Sequence, residues 1–449
     1  MEDTIAAIST ALGVGAISII RVSGNDAIEI VNKIFKNNNL KEKASHTITY
    51  GYIVDGEKII DEVLVSIMKA PKTFTKEDIV EINCHGGIAT TNKILELLLV
   101  NGCRLAEPGE FTKRAFLNGR IDLIEAEGIM EVINAKSEKS RELAINQLSG
   151  STSNLIKKLR QDILEILANI EVNIDYPEYE DIEQVTNSML TPKIENIIQK
   201  LEEIISKSES NKLIKEGINV SIIGRPNVGK SSLLNCLLEE EKAIVTDIEG
   251  TTRDIVEGKI NLNGIILNII DTAGIRKTED TVEKIGVQKS LELIEKSDLV
   301  LYMLNNNDSL TEEDVNIIEN LSSKSHIIVI NKSDLETKLE KSKFQHYIEI
   351  SVKDNKGIED LKNKILELFN FEKIETSDLS YLSDARSIAL LKKSLSALLS
   401  AREGVFNNYS IDMIEIDIKE AWNLLGEIIG ETYQEELINQ LFSQFCLGK

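Results

Sequence analysis

The residues Gly224-Arg-Pro-Asn-Val-Gly-Lys230-Ser231 stand between the apolar run Ile218–Ile223 and the helical pattern of Leu233–Leu238. A strand, a glycine-rich loop that ends in Lys-Ser and a helix form the setting of a phosphate-binding loop. The backbone N–H groups of such a loop point at phosphate oxygens, the lysine neutralises them, and the serine hydroxyl completes a magnesium shell. The stretch therefore predicts an α/β domain with Ser231 as a magnesium ligand and with nucleotide contacts from Asn227, Val228, Gly229, Lys230, Ser231 and Ser232.

Two motifs further along the chain predict that this domain is a switch. In Thr251-Thr252-Arg-Asp254, the Thr252 hydroxyl can join the magnesium shell only when a γ-phosphate is present. Asp271-Thr272-Ala273-Gly274 follows the run Ile265–Ile270, so that its carboxylate reaches the magnesium ion and the Gly274 N–H reaches the γ-phosphate. We expect Thr252 and all four residues of the second motif to contact the nucleotide.

The identity of the nucleotide base is predicted by the motif Asn331-Lys332-Ser-Asp334, which follows the strand-like run Ile327–Ile330. A carboxylate at Asp334 can accept both the N1–H and the exocyclic amine of guanine, which adenine cannot supply, so the nucleotide is predicted to be GTP. Ser351-Val-Lys353 would support the base from the last loop. Taken alone, Asp334 would be interpreted as a turn carboxylate.

The catalytic group is the main departure from signalling GTPases. Those enzymes orient the attacking water with a Gln directly after the Asp-x-x-Gly motif, and this chain has Ile275 there. Glu283 is the best acid-base candidate, with Glu279 and Asp280 as rivals. A glutamate that opens a helix is more often a partner of the helix dipole than a catalyst, so this alternative stays open.

In our interpretation, a bound monovalent cation takes the place of the arginine finger that other GTPases use. Asn227 can ligate a monovalent cation beside the β/γ bridge, and loop atoms around Thr246, Ile248 and Thr251 can close the cage. Potassium there would supply the charge that an arginine supplies elsewhere, with Thr246 also beside the nucleotide. The alternative for Asn227 is a residue that shapes the loop.

Length and composition exclude several classes of protein. The 449 residues suffice for about three domains of roughly 150 residues each. With 42% hydrophobic residues and only 5 prolines, the chain is neither disordered nor fibrous. No apolar run approaches the roughly 18 residues of a membrane span, and the first residues lack the basic start of a signal peptide, so we expect a cytoplasmic protein. The four scattered cysteines predict no disulfide framework.

Changes in hydrophobic periodicity divide the chain. Residues 1–120 mix strand and helix signals, among them strands at 16–22, 63–68 and 79–82 and a helix at 25–35 opened by a capping box of Ser23 and Asp26. Helical spacing fills 121–216 and returns over 372–449, and 217–371 alternates short strands with helices. The predicted class is a multidomain α/β protein: an α+β N-terminal domain, an all-α helical domain, and a P-loop GTPase domain with a parallel sheet, inserted into the helical domain.

The motifs as a whole resemble the MnmE (TrmE) family, GTPases that modify the wobble uridine of certain tRNAs. The resemblance spans the chain, through Ser18-Ile-Ile-Arg21-Val-Ser-Gly24, Phe74-Thr-Lys-Glu-Asp78, Gly109-Glu-Phe-Thr-Lys-Arg-Ala-Phe-Leu-Asn118 and the C-terminal Phe445-Cys446-Leu-Gly-Lys449. Leu447 replaces the family's usual isoleucine, a mild apolar change.

This resemblance implies cofactors, partners and site residues. It implies a homodimer formed through the N-terminal domain, GTPase domains that associate in the presence of potassium, and an FAD-dependent partner, MnmG (GidA), in a heterotetramer or larger complex. Together the two proteins would add an aminomethyl or carboxymethylaminomethyl group to uridine C5 with a one-carbon tetrahydrofolate, either 5-formyl or 5,10-methylene. The resemblance assigns folate contacts to Arg21, Glu81, Arg120 and Lys449, a modification-site thiol to Cys446, the acid-base role to Glu283 and potassium binding to Asn227.

Several alternatives stay open at this point. Cys446 alone would be interpreted as a small buried hydrophobic residue, and Arg21, Glu81 and Arg120 as members of surface ion pairs. The GTPase motifs also fit a ribosome-assembly or signalling GTPase that acts as a GTP-switched binding module. A third hypothesis is a folate-binding enzyme whose GTPase domain is only regulatory.

The surface that binds tRNA is the least determined feature. The net charge of −23 repels phosphate backbones, so RNA binding requires a local basic patch or a basic partner. Glu138, Glu142 and Asp162 interleave the basic residues of two helical stretches, as on ordinary solvated helix faces. These basic residues are Lys136, Lys139, Arg141, Lys157, Lys158 and Arg160. We therefore expect the partner to supply much of the basic surface.

Overall fold

The computed structural model of the protein describes residues 3–175, 187–240, 256–270, 291–322, 324–369, 379–432 and 435–448. The chain divides into two units. The first comprises Met1–Met130, Gln147–Glu183 and Ser410–Lys449, and the second comprises Glu131–Asn146 and Gln184–Tyr409. These units cut across the predicted helical segments, so the domain bounds drawn from the sequence stay a prediction.

A seven-stranded sheet organises the first unit, in the order β3-β4-β5-β6-β2-β1-β7. The pairs are antiparallel except β1 with β7. The strands are β1 Ile5–Ile8, β2 Ile17–Ser23, β3 Phe35–Lys36, β4 Thr47–Asp55, β5 Lys58–Met68, β6 Ile79–His85 and β7 Arg104–Leu105. The predicted strands correspond to β2, β5 and β6, whereas β1 and β4 were missed.

Helices α1 (Ala27–Ile34) and α2 (Ile88–Val100) pack on one face of this sheet, and α3 (Glu110–Leu117) follows β7. Their apolar residues join those of the strands in one buried core, because alternate strand residues point to the same face. The predicted capping box is wrong. Asp26 is the N-cap residue of α1 but makes no side-chain capping hydrogen bond. The Ser23 hydroxyl is hydrogen-bonded to Thr75 and Glu77 instead of to the helix.

Between α3 and the second sheet, the described residues form four helices: α4 Leu123–Asn134, α5 Glu138–Leu148, α6 Ser151–Asp175 and α7 Asn187–Glu216. Along α6, the buried residues Ile156, Leu159, Ile163, Ile166 and Ile170 recur at helical spacing. Such a stripe requires a partner helix, which the C-terminal part of the chain supplies.

The second unit is built on a six-stranded sheet of order β13-β12-β11-β8-β10-β9, parallel except for the hairpin β9–β10. Its central strand β11 is buried along its whole length, as expected where helices cover both faces. The strands are β8 Ile218–Ile223, β9 Val256–Leu262, β10 Ile265–Ile270, β11 Leu299–Asn305, β12 His326–Asn331 and β13 Ile348–Glu349. The helices are α8 Lys230–Glu240, α9 Glu312–Leu321 and α10 Ile358–Leu368.

The chain then forms α11 Ala385–Phe406, α12 Ile411–Ile429 and α13 Glu435–Phe442. Helix α7 packs along α11, and α6 packs along α12, so each pair joins one helix from before the inserted sheet to one from after it. The predicted multidomain α/β class, with the P-loop sheet inserted in a helical region, is confirmed. None of the helices in the described ranges is both long and apolar enough to cross a bilayer.

Candidate functional site

The phosphate-binding loop lies between β8 and α8, at the carboxyl edge of the parallel sheet. Gly224 has φ +147° and Gly229 has φ +104°, a region that side chains with a Cβ rarely adopt. A Cβ at Gly224 would overlap the carbonyl oxygen of Met303, and one at Gly229 would overlap the side-chain amide of Asn331. Both glycines are therefore required by backbone conformation and by close approach, as the sequence predicted for a loop wrapped around phosphates.

Lys230 lies inside this loop. Its Nζ donates to the carbonyl oxygens of Gly224 and Arg225, each at 2.7 Å. Burial lowers the pKa of Lys230, because the loop removes water from the ammonium group. An anionic phosphate held by the loop would offset that desolvation, so the geometry favours an anionic ligand.

The other predicted residues of the phosphate-binding loop differ in their exposure to solvent. Val228 is buried, whereas Asn227, Ser231 and Ser232 are exposed, the two serines in the first turn of α8. Asn227 has φ +61°, a left-handed conformation that asparagine tolerates better than most residues. This conformation supports the alternative in which Asn227 shapes the loop, and the cation-binding role stays a prediction.

Asn331 connects the phosphate-binding loop to the base-binding loops. Its Nδ2 donates to the carbonyl oxygen of Val228 at 2.8 Å, and its Oδ1 accepts from the Val352 N–H at 3.3 Å. This position follows from topology, because β8 and β12 end at the same edge of a parallel sheet.

Asp334 is held by Ser351. The Ser351 Oγ donates to Asp334 Oδ1 at 2.8 Å, and this hydrogen bond lowers the pKa of the Asp334 carboxyl group. Asp334 is exposed, and the preceding Lys332 has φ +61°. The structure thus brings four predicted base-site residues, Asn331, Lys332, Asp334 and Ser351, to the loops beside the phosphate-binding loop.

Ten predicted site residues lie outside the described part of the chain, as do the rivals Glu279 and Asp280. They are Thr246, Ile248, Thr251, Thr252, Asp271, Thr272, Ala273, Gly274, Glu283 and Lys449. Within the described ranges, no group of three or more His, Cys, Asp or Glu side chains could hold a metal ion. Of the predicted magnesium ligands, Ser231 is therefore the one whose position the structure gives.

A second cluster lies in the first unit around the ring of Phe74. Arg21 and Glu81 are cross-strand neighbours on β2 and β6, and the Arg21 Nε donates to Glu81 Oε1 at 2.9 Å. The Arg21 guanidinium lies 5.9 Å from the Phe74 ring centre, and that of Arg120 lies 4.8 Å from it. Two predicted folate residues that are distant in sequence, Arg21 and Arg120, thus lie against one aromatic ring, and Glu81 is joined to them through Arg21. The ion pair that the alternative interpretation proposed for Arg21 and Glu81 is also present.

A cavity of about 400 Å³ opens beside this ring, lined in part by Phe74, Arg120, Lys72 and Lys76. Its volume falls within the range of small-molecule sites. Sequence reasoning assigned no role to the Phe74 ring, or to Phe111, whose ring centre lies 5.7 Å from the Arg21 guanidinium. Both residues lie in stretches that carry the family resemblance, but that resemblance gives no sign that the two rings meet the same arginine, which depends on how the loop after β5 folds over α3.

The C-terminal tail reaches the same cluster. The Gly448 carbonyl oxygen accepts from Arg21 Nη1 at 3.3 Å and from Ser9 Oγ at 3.1 Å. The buried rings of Phe442 and Phe445 pack together and anchor the tail in the core of the first unit. Cys446 is exposed, which corrects the alternative that it is a buried hydrophobic residue.

Two protein-family models match this chain, one in its N-terminal part and one over the remainder. The family described as "MnmE helical domain" matches residues 123–446, and "GTP-binding protein TrmE N-terminus" matches residues 4–120. Curated proteins from Bacillus cytotoxicus and Bacillus anthracis, each named tRNA modification GTPase MnmE, are 53% identical to this chain. The alignments cover 100% of this chain and 99% of each relative. Among solved structures, Era from Aquifex aeolicus bound to GDP and aluminium fluoride is 25% identical over 40% of this chain and 67% of its own, with a TM-score of 0.26.

Proposed function

This chain belongs to the MnmE family of tRNA modification GTPases, and we propose that its GTP hydrolysis is potassium-dependent and drives modification of uridine C5 at the wobble position. An FAD-dependent partner of the MnmG (GidA) type and a one-carbon tetrahydrofolate complete the reaction. The observation that carries this proposal is the hydrogen bond between Arg21 and the Gly448 carbonyl, because it joins the candidate folate residues to the tail that bears Cys446.

The nucleotide half of the proposal rests on the second unit. Lys230 and the loop N–H groups would bind the phosphates, and Asp334, oriented by Ser351, would accept the guanine N–H groups. The Ser231 hydroxyl would hold magnesium, which neutralises charge on the phosphate oxygens.

The proposed folate site rests on Arg21, Glu81 and Arg120, which lie around the ring of Phe74. Arg120 matches the carboxylates of a folate glutamate tail, since guanidinium groups bind carboxylates in a bidentate manner, and Arg21 would orient Glu81 through their hydrogen bond. Glu81 accepts from the amino groups of the pterin, and the cavity beside Phe74 admits an aromatic ring system. The side chain of Lys449 would add a further cation at the end of the tail.

A homodimer is supported by the open face of the first sheet. Ile48 and Tyr50 on β4, Leu64 on β5 and Ile17 on β2 are between 48% and 68% exposed. Tyr50 and Leu64 are direct cross-strand partners, so the exposed apolar surface is continuous between β4 and β5. A second copy of the chain would bury this face, as large apolar patches are usually covered in assemblies.

Replacement of Glu283 by alanine should reduce GTP turnover about 100-fold while leaving GTP affinity unchanged, because a general acid-base group acts mainly in the transition state. The wild-type rate should also fall when sodium replaces potassium and when the protein is diluted to a monomer. Steady-state phosphate release and equilibrium binding of a fluorescent GTP analogue measure the two effects.

Glu279→Ala serves as the matched control, since it removes a neighbouring carboxylate and should retain the rate. Wild-type turnover in Glu283→Ala would refute its role, and an equal rate in sodium would refute the cation's role.

Replacement of Cys446 by serine should abolish the wobble modification while GTP hydrolysis continues, because the exposed thiol lies in the first unit and the nucleotide loops lie in the second. Mass spectrometry of tRNA nucleosides from cells that carry only the variant measures the modification. Cys236→Ser makes the same chemical change in α8 and should retain it. Full modification with Cys446→Ser would exclude a chemical role for this thiol and favour a GTP-switched binding module.

A further inference from the structure

Lys76, in the loop after β5, is held at the C-terminal end of α3. Its Nζ donates to the carbonyl oxygens of Asn118 at 3.0 Å and Gly119 at 2.9 Å. The Asn118 side chain donates in turn to the Thr75 carbonyl oxygen at 2.6 Å. Lys76 has φ +59°, a conformation that costs free energy in a residue with a Cβ. These contacts fix the ammonium group beside Gly119, the residue that precedes Arg120.

Lys76, Arg120 and Lys72 line the cavity of about 400 Å³ beside Phe74. The Arg120 guanidinium lies 4.8 Å from the Phe74 ring centre, so the ring helps to fix its position. Among the described residues, Glu81 is not part of the lining of this cavity, whereas Arg120 is. The cavity therefore adjoins the end of the proposed folate site that would hold the glutamate carboxylates, and three cationic side chains line it.

The three cationic side chains of the cavity form no ion pair within the described part of the chain. The carboxylates that follow in the loop are bonded elsewhere, because Glu77 accepts from Arg114 and Asp78 accepts from a backbone N–H. Glu125 feels the charge of Arg120, but its carboxylate accepts from a backbone N–H at 2.9 Å. An anionic ligand in the cavity would therefore meet cations that no described carboxylate neutralises.

We propose that Lys72 and Lys76 bind a poly-γ-glutamate tail, so that the preferred ligand of this site is a polyglutamylated folate. The proposal rests on the proposed folate site. In such a tail each added glutamate is joined through a γ-amide and leaves one free α-carboxylate. Arg120 would bind the first glutamate, and Lys76 and Lys72 would bind the carboxylates that follow.

A chain of carboxylates fits this cavity better than the phosphodiester backbone of an RNA. The cavity shares Arg120 with the proposed folate site, so the rest of the ligand would hold the tail beside Lys72 and Lys76. A tethered group binds at a high effective concentration and does not lose the entropy of a second association. An RNA phosphate would have no such tether, and each contact would have to form against the net charge of −23.

The first test compares the monoglutamate and pentaglutamate forms of 5-formyltetrahydrofolate by equilibrium dialysis with the full-length chain. The pentaglutamate should bind about tenfold more tightly at low salt, because several exposed charge pairs each add a small amount to the affinity. This ratio of affinities should shrink as salt is raised. In Lys72→Gln with Lys76→Gln, the ratio should fall close to 1.

Lys41→Gln with Lys93→Gln is the matched control, since it removes the same charge from lysines of the first unit that pair with Glu29 and Asp55. This control should keep the wild-type ratio. Equal affinities of the two folates for the wild type, or the same ratio in the two double variants, would overturn the inference and leave the folate site standing. Binding of neither folate would overturn the folate site and the inference together.

Lys72→Gln alone covers the case in which loss of the Lys76 hydrogen bonds loosens the loop. Lys72 is exposed and forms no hydrogen bond within the described part of the chain, so the midpoint of thermal unfolding should not change. The ratio of affinities should still fall, by about two- to threefold. A wild-type ratio in this variant would overturn the part of the proposal that concerns Lys72.

The second test uses the unaltered chain. Acetylation of Lys72 and Lys76 is followed by mass spectrometry with each folate, with a tRNA transcript and without addition, and Lys41 serves as the internal reference. Stronger protection by the pentaglutamate than by the monoglutamate is the expected result. Protection by tRNA without protection by the pentaglutamate would overturn the proposal and assign these lysines to a nucleic-acid contact.

Discussion

Replacement of Asp334 by asparagine is expected to weaken GTP binding about 10⁴-fold, because an amide nitrogen would face the guanine N–H donors that the proposed role assigns to a carboxylate oxygen. In the structure, Asp334 Oδ1 accepts a hydrogen bond from Ser351 Oγ at 2.8 Å, which orients the carboxylate. Xanthosine triphosphate, which carries a carbonyl in place of the amine, should bind the variant better than GTP does. Competition against a fluorescent nucleotide measures both affinities.

Ser351→Ala is the matched control for this prediction. It removes the hydrogen bond that orients Asp334 but leaves the carboxylate, so GTP affinity should fall by about tenfold at most. If Asp334→Asn retained its preference for GTP over xanthosine triphosphate, the proposed base-binding role of Asp334 would be wrong.

Replacement of Arg114 by alanine is expected to cost about 3 to 5 kcal/mol of the first unit's stability, because it removes a buried guanidinium from the buried carboxylates of Glu77 and Glu110. The Arg114 side chain is 0% exposed. Its Nη atoms donate to Asp3 Oδ1 at 2.8 Å, Glu110 Oε1 at 3.0 Å and Glu77 at 3.2 Å. Arg104 pairs with Asp3 and Glu110 on the other side. The network ties the chain start, the loop after β5 and α3 together.

The loss of stability is measured by urea unfolding, with the fluorescence of Trp422 as the signal. Trp422 is the one tryptophan in the sequence and belongs to the first unit. Lys41→Ala is the control: it breaks an exposed pair with Glu29 in the same unit and should cost less than about 1 kcal/mol. Similar urea midpoints for the two variants would contradict the prediction.

The ion-pair network around Arg114 also predicts that the stability of the first unit decreases at acidic pH. Burial acts to raise the pKa of Glu110 and of Asp3, but hydrogen bonds from Arg104 and the charge of Arg114 hold both pKa values below their ordinary range. Carboxylates with a lowered folded pKa stabilise the fold above their unfolded pKa of about 4, and this stabilisation is lost as the pH falls through the folded value. Arg114→Ala removes part of this lowering while Arg104 still pairs with both carboxylates, so the variant has less stability to lose on acidification and the gap between variant and wild type should narrow.

Some early predictions failed for identifiable physical reasons. Ser23 matched the spacing of a helix cap, but its hydroxyl bonds Thr75 and Glu77 because the loop after β5 folds against it. Strand β4 was missed although its β-branched and aromatic residues, with Ile48 and Tyr50 on the exposed face, form an ordinary strand pattern. The first error concerns a residue whose local pattern is overridden by contacts with a distant segment, whereas the second concerns a local signal that was overlooked.

The sequence by itself determined the nucleotide-binding loops, since each is a contiguous stretch whose glycines and turn conformations are local properties, placed at a strand end that periodicity predicts. Tertiary structure alone decided which distant residues share a site. Arg21 and Arg120 meet at Phe74, and Gly448 is bonded to Arg21, because strand order and helix packing bring these residues together. Such contacts leave no period or spacing in the chain, since they depend on the free energy of burying whole faces rather than on neighbours in sequence.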